Sequence, residues 1–378
     1  MNKKLFTSEA VGAGHPDKIC DQISDHILDA VLSKDKNARV AIETMASNHL
    51  IIIAGELTTT GYVDVVKKAW EMLFTLGYTE NDFTIISNVN SQSPDIALGV
   101  DKENGELGAG DQGIMFGYAT NETRKFMPLA HAIAISLVKA AEKIRTSEDT
   151  WIKSDMKSQV TIDYSGTEPK IDTILMSIQH AKNQDYEKMR QFVIDRIVNP
   201  TVEKYGLNLD YKFFFNPTGV FEIGGPFGDT GLTGRKIIVD TYGGYAHHGG
   251  GAFSGKDYTK VDRSAAYMCR YIAKNIVAAN LADEIEIQIS YGIGISKPIS
   301  VSIVKSKNAK YSEDELIKMI NNVFDLTPKG IIETLNLKNI KYAKTACFGH
   351  FGRNNHNFTW EKTDKIKDIL AYFKSEKA

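Results

Sequence analysis

Asp17–Ser33 reads DKICDQISDHILDAVLS and places Ile19, Ile23, Ile27, Leu28, Val31 and Leu32 on one stripe of an amphipathic helix. The elements after this helix decide the fold. Two strand-like runs, Arg39–Met45 and Leu50–Leu57, lead into a second amphipathic helix over Tyr62–Leu76. The same order returns from Met127, with a helix to Arg145, strands over Gln159–Tyr164 and Lys170–His180, and a helix over Asp185–Val198. It returns again from Asp262, with a helix to Asn280, strands over Glu284–Tyr291 and Ile299–Val304, and a helix over Ser312–Phe324. Three helix–strand–strand–helix units predict an α+β fold of three similar domains, each a small mixed or antiparallel sheet with helices on one face. The expected division is 1–100, 101–223 and 224–378, with segments interleaving in space.

A chain of 378 residues is too long for one ordinary core, which agrees with several domains. Hydrophobic and charged fractions of 42% and 24% are those of a globular protein. A net charge of −2 with no dense block of cations argues against nucleic acid as a partner. Thr7, Ser8 and Glu9 interrupt any apolar signal segment, and Leu50–Ala54 is far too short to span a bilayer. Three widely spaced cysteines, Cys20, Cys269 and Cys347, argue against a disulfide framework. A cytoplasmic location without membrane association is expected.

Gly249–Asp257, GGGAFSGKD, has the G-x-x-x-x-G-K spine of a phosphate-binding P-loop in Gly250, Gly255 and Lys256, but Asp257 stands where a Mg²⁺-ligating hydroxyl is needed. The strand-like Arg235–Tyr242 is also separated from the glycines by Gly243–His248. Phosphate binding is therefore compatible with the run, while an ordinary P-loop fold is not; turn-forming glycines are the alternative. Gly14-His15-Pro16-Asp17-Lys18 opens the first helix, where Pro16 suits the first position and free N–H groups favour an anion. His15 or Asp17 could equally be a helix cap, and so could Asp262 at the start of the third unit. Asp111 and Asp229 lie among glycines and could merely support turns. Asp155 and Lys157 are two apart before a strand, which on extended chain aims both at one face. His247 and His248 are neighbours that diverge, which disfavours a metal site. Five cations (Lys157, Arg235, Lys236, Lys256, Lys260) and several carboxylates suit a polyphosphate clamped with Mg²⁺.

Gly14–Lys18, Gly110-Asp111-Gln112-Gly113 and Gly249–Asp257, in that order, resemble the signature segments of the S-adenosylmethionine synthetase (methionine adenosyltransferase) family. The resemblance covers nearly the whole chain, including Ser93–Ile96, Phe214–Gly219, Gly231–Gly244, Lys260–Asn280 and Gly349–Arg353. It implies three related α+β domains with pseudo-threefold symmetry and transfer of the adenosyl group of ATP to L-methionine, with hydrolysis of the released triphosphate to phosphate and pyrophosphate. It also implies that His15, Lys157, Arg235 and Lys256 are catalytic, with Arg235 assisting triphosphate hydrolysis, and that Asp155, Phe221, Asp229, Lys236 and Ala252 border the nucleotide. By the same resemblance, Glu56, Gln92, Asp111, Asp229 and Lys260 would surround methionine, and Asn88–Gln112 would form a gate. Asp17 and Asp262 would hold two Mg²⁺ per active site, and Glu43 one K⁺ per subunit. The implied assembly is a homodimer with shared active sites, doubled to a homotetramer. Ala13, Val220 and His247 depart from the bacterial pattern. A phosphotransferase using Lys256, or a non-catalytic nucleotide-binding regulator, are the competing readings.

Overall fold

The computed structural model describes residues 3–91, 107–148, 150–353 and 357–376. In the first unit, α1 (Pro16–Lys34) and α2 (Val65–Thr75) cover one face of a sheet built on the antiparallel pair β2 (Arg39–Ser47) and β3 (Leu50–Thr58). β4 (Thr84–Asn90) adds to it in parallel, so Asn88–Asn90 of the expected Asn88–Gln112 gate is strand. In the second unit, α3 (Leu129–Ser147) packs on β6 (Ile152–Asp163), which pairs with β7 (Lys170–His180), with β8 (Lys212–Phe215) parallel at the edge. In the third, α7 (Val261–Ala278) packs on the antiparallel pair β10 (Glu284–Tyr291) and β11 (Ser300–Lys307), followed by α8 (Glu313–Val323).

Each sheet is completed by a strand from elsewhere in the chain. β1 (Leu5–Val11) pairs with β6, β5 (Gly113–Thr120) with β10, and the two-residue β9 (Gly231–Leu232) with β2. The apolar residues of the first and third units form one continuous core, whereas the second has its own. No helix among the described residues is long and apolar enough to cross a membrane.

Three sequence expectations change. Arg235–Tyr242 is not a strand: Ile237–Asp240 forms the short helix α6, despite its β-branched residues, because buried Asp240 is drawn inward to the Lys18 ammonium. β6 begins at Ile152 rather than Gln159 and so contains Asp155 and Lys157. The helix over Asp185–Val198 divides into α4 (Tyr186–Val193), a π turn at Ile194–Val198 and α5 (Asn199–Glu203). Pro200, which lacks an N–H, explains the widened turn.

α1 also carries a second stripe. Asp17, Asp21, Asp25 and Asp29 recur every four residues on one helix face, and each accepts backbone N–H groups from a distant segment. Asp17 takes Leu232, Asp21 takes Gly234, Asp25 takes Gly255, and Asp29 takes Tyr342 and Ala343. Asp25 additionally forms a bidentate pair with Arg263 of α7, at 2.7 and 2.8 Å, with both side chains fully buried. Arg263 also donates to Tyr267, Thr345 and the carbonyls of Phe253 and Lys256. Asp25→Asn keeps the shape but leaves Arg263 without its counter-charge, so a loss of about 3–5 kcal/mol is expected in urea denaturation.

Candidate active site

One group of polar residues gathers at the N-terminus of α1. Gly12 and Gly14 donate their N–H groups to the carbonyls of Met156 and Ser154, and Val11 pairs with Lys157, so the chain entering α1 runs beside β6. This brings His15 near Asp155 and Lys157. His15 is the N-cap, Pro16 the first helical residue, and the His15 Nδ1 accepts the Asp17 N–H at 3.2 Å. Burial, with the Lys236 and Lys157 ammonium groups, lowers the His15 pKa to about 3, against the pull of Asp17. The ring is therefore neutral, and because Nδ1 accepts, the proton sits on Nε2, free to donate.

Asp17 is a cap in neither sense: its carboxylate receives the Leu232 N–H at 3.0 Å and the Lys236 ammonium at 2.7 Å, with Arg235 Nε at 3.6 Å. Burial raises its pKa, but the hydrogen bonds from Lys236 and Leu232 outweigh this and the net shift is downward. The 229–236 loop can approach so closely because residue 231 is glycine; a Cβ there would lie 2.2 Å from the Pro16 carbonyl oxygen. Asp155 is buried, accepts the Gly225 N–H through Oδ2 at 2.8 Å, and leaves Oδ1 buried without a partner among the described residues. Burial raises its pKa to about 6. Phe221 is fixed by His180, whose Nε2 accepts its N–H at 3.0 Å.

A second group lines a cavity of about 190 Å³ formed by Glu56, Asp111, Lys256, Lys260 and Asp262, with Arg39. The volume suits an amino acid rather than a nucleotide. Lys256 pairs with Asp262 at 2.6 Å. Asp262 is the second residue of α7, whose N-cap is Lys260, so Asp262 does not cap the helix. The glycine run joins the two groups, since Ala252 lies against Gly234 and Gly251 against Asp262. Asp229, expected at both substrates, does not line the cavity; it interacts with Asp155 in the first group. Glu43 is exposed on β2, on the same sheet face as Ala41 of the cavity wall. Gln92 and most of the proposed gate lie outside the described residues.

Asp257, the residue that spoils the P-loop, is fully buried and structural. It accepts the N–H of Val40 at 2.7 Å and of Thr259 at 2.8 Å, with the Thr259 hydroxyl and the Lys260 ammonium. Gly255 beside it has φ of +81°, and a Cβ would meet the Ile42 carbonyl oxygen at 1.9 Å. The run thus lies along β2 as an extra strand-like edge, bridged at Ala41 and Lys256.

The family profiles cover this chain in three parts: the N-terminal domain of S-adenosylmethionine synthetase matches residues 3–94, the central domain 106–221 and the C-terminal domain 223–362. The chain belongs to the S-adenosylmethionine synthetase family. It is 64% identical to the S-adenosylmethionine synthase of Mycoplasmopsis pulmonis over 376 residues, covering 99% of this chain and 100% of that protein. It is 54% identical to the Mesoplasma florum S-adenosylmethionine synthase, covering 97% and 99%, and 52% identical to that of Mycoplasma capricolum, covering 99% and 98%.

The three expected departures fall at different depths. Ala13 is buried, Val220 is exposed, and His247 stacks on Phe116 while its Nδ1 meets Glu286 at 2.9 Å. His248 accepts the Gly250 N–H, so the Nδ1 atoms of the two histidines have different partners. No group of three acidic, histidine or cysteine side chains among the described residues could hold a metal alone. Asp17 and Asp262 each face an ammonium group, a donor set that fits a cation only when phosphate oxygens complete its shell.

Restoring the P-loop hydroxyl tests the role of Asp257. Asp257→Ser should destabilise the protein by at least about 2 kcal/mol in urea denaturation, because buried N–H groups lose their acceptor, and it should yield no ADP-forming activity.

Proposed function

We propose that this chain joins ATP and L-methionine to form S-adenosylmethionine and then hydrolyses the released triphosphate to phosphate and pyrophosphate. What supports the reading is an amino-acid-sized cavity, walled by the charges of Glu56, Asp111 and Lys260, beside the cations Lys236 and Lys256 paired with Asp17 and Asp262. Transfer needs no nucleophilic side chain. The methionine sulfur forms a bond to C5′, the C5′–O bond breaks, and its electron pair leaves on the triphosphate. What the protein supplies is alignment and a field that strengthens as charge collects on the departing oxygens.

In this reading His15 donates from Nε2 toward the leaving oxygen, and Lys157, Arg235, Lys236 and Lys256 hold the phosphates. The unpartnered Oδ1 of Asp155 has the chemistry to accept a ribose hydroxyl. Phe221, Ala252 and Asp229 border the nucleotide; Glu56, Gln92, Asp111, Asp229 and Lys260 surround methionine. Asp17 and Asp262 are the residues that would hold the two Mg²⁺ ions, and Glu43 the K⁺. Mg²⁺ held there would supply positive charge against the triphosphate.

A homodimer with shared active sites, doubled to a tetramer, is the expected assembly. Leu232, Met45, Ile52 and Ile86 stand side by side across the first sheet, and three of them are 37%, 38% and 51% exposed on its helix-free face. Such a row supports burial by a second subunit. The 1–100, 101–223 and 224–378 division and a cytoplasmic location complete the proposal.

Incubation with ATP, Mg²⁺, K⁺ and methionine should yield S-adenosylmethionine with both phosphate and pyrophosphate; ADP as the product would overturn the assignment. Arg235→Leu should slow triphosphate hydrolysis by about 100-fold while slowing sulfonium formation far less. Equal loss in single-turnover measurements of the two steps would remove Arg235 from its hydrolytic role.

A further inference from the structure

A second set of cations lies away from the groups described above, where α3 of the second unit meets the 347–353 turn of the third. Lys125, Lys139 and Arg353 line a cavity of about 30 Å³ together with Ser136, Tyr205 and Phe351, and no carboxylate among the described residues lines it. The Ser136 and Tyr205 hydroxyls are both taken up by the Ala132 carbonyl, at 2.8 and 3.0 Å.

Arg353 is only 5% exposed. Its Nη1 donates to the carbonyls of Lys344, Cys347 and Gly349, while its Nε is buried with no partner among the described residues. Lys139 finds no hydrogen-bond acceptor among the described residues and sits 5.7 Å from the centre of the Phe348 ring. The nearest carboxylate on its own helix, Glu142, has both oxygens bonded to Arg145 at 2.7 and 2.8 Å. Carbonyl dipoles satisfy part of the Arg353 guanidinium but leave its charge uncompensated. Burying a cation without a counter-charge is costly; Arg353 is buried and Lys139 half-buried, and burial, then Arg353 and Lys125, lower the Lys139 pKa to about 7.

We propose that this cavity binds a small inorganic monoanion of chloride size, held by the Lys139 ammonium and the Arg353 Nε with Lys125 at the rim. Its volume exceeds the roughly 10–15 Å³ that one water requires and leaves no room for a hydrated phosphate. The ion supplies the missing counter-charge and ties the second unit to the third, so its binding is linked to the stability of the folded chain. The site makes no use of ATP or methionine.

The full-length protein is melted in potassium chloride and in potassium gluconate at equal ionic strength, so that K⁺ is constant and only the anion changes. Chloride should raise the Tm of the unsubstituted protein by about 2 °C. Lys139→Met should lose that dependence and, in gluconate, melt at or above the unsubstituted protein, because a half-buried cation with no acceptor among the described residues has been removed. Crystals soaked in bromide should show an anomalous peak between Lys139 and Arg353. Absence of bromide from the cavity, or an undiminished chloride effect in Lys139→Met, overturns the proposal.

Discussion

The pair between Asp25 and Arg263 joins residues 238 positions apart in a fully dry setting. Neither charge would be tolerated there alone, so the position of α7 relative to α1 is fixed wherever the chain is folded at all. The same guanidinium also holds the carbonyls of Phe253 and Lys256, and Asp25 holds the Gly255 N–H. The glycine run is thereby pinned to both helices, and Lys256 is placed by the same contact that closes the core. Stability and the geometry of the candidate site are coupled through one buried ion pair.

The four aspartates of α1 extend this logic along the helix. Spaced four residues apart, successive carboxylates rise about 6 Å along the axis, and together they meet three downstream segments. The 231–234 loop comes under Asp17 and Asp21, the glycine run under Asp25, and the 342–343 turn under Asp29. One amphipathic helix therefore acts as a scaffold with two working faces. Its apolar stripe builds the core, and its acidic stripe anchors the 231–234, glycine-run and 342–343 segments.

The repeating helix–strand–strand–helix order was legible because the 3.6-residue and 2-residue periods are local properties of Asp17–Leu76 and its two counterparts. The completing strands were not. β1 and β5 flank segments of other units, and β9 is two residues long, so their identity is settled by a partner far away in sequence. Ile237–Asp240 misled for a related reason: its β-branched residues favour a strand, but the charge on Asp240 is drawn inward by Lys18. Among site residues, His15, Asp17 and Lys256 stand out by motif, whereas the structural task of Asp257 depends on Val40 and Thr259, which no spacing rule connects to it. The four-residue recurrence of aspartate on α1 was in plain view and is a signal that a search for acidic stripes would find.

The exchange of completing strands has a consequence for how the chain acquires its shape. β9 reaches the first sheet only after more than half of the chain has been made, and β5 must wait for β10. No unit can finish its sheet from its own residues, so the contact order is high and the early chain leaves a ribosome with open sheet edges. Cooperative, late closure is built into this topology: β1 can pair once β6 is made, the first sheet waits for β9, and β5 waits longest, for β10.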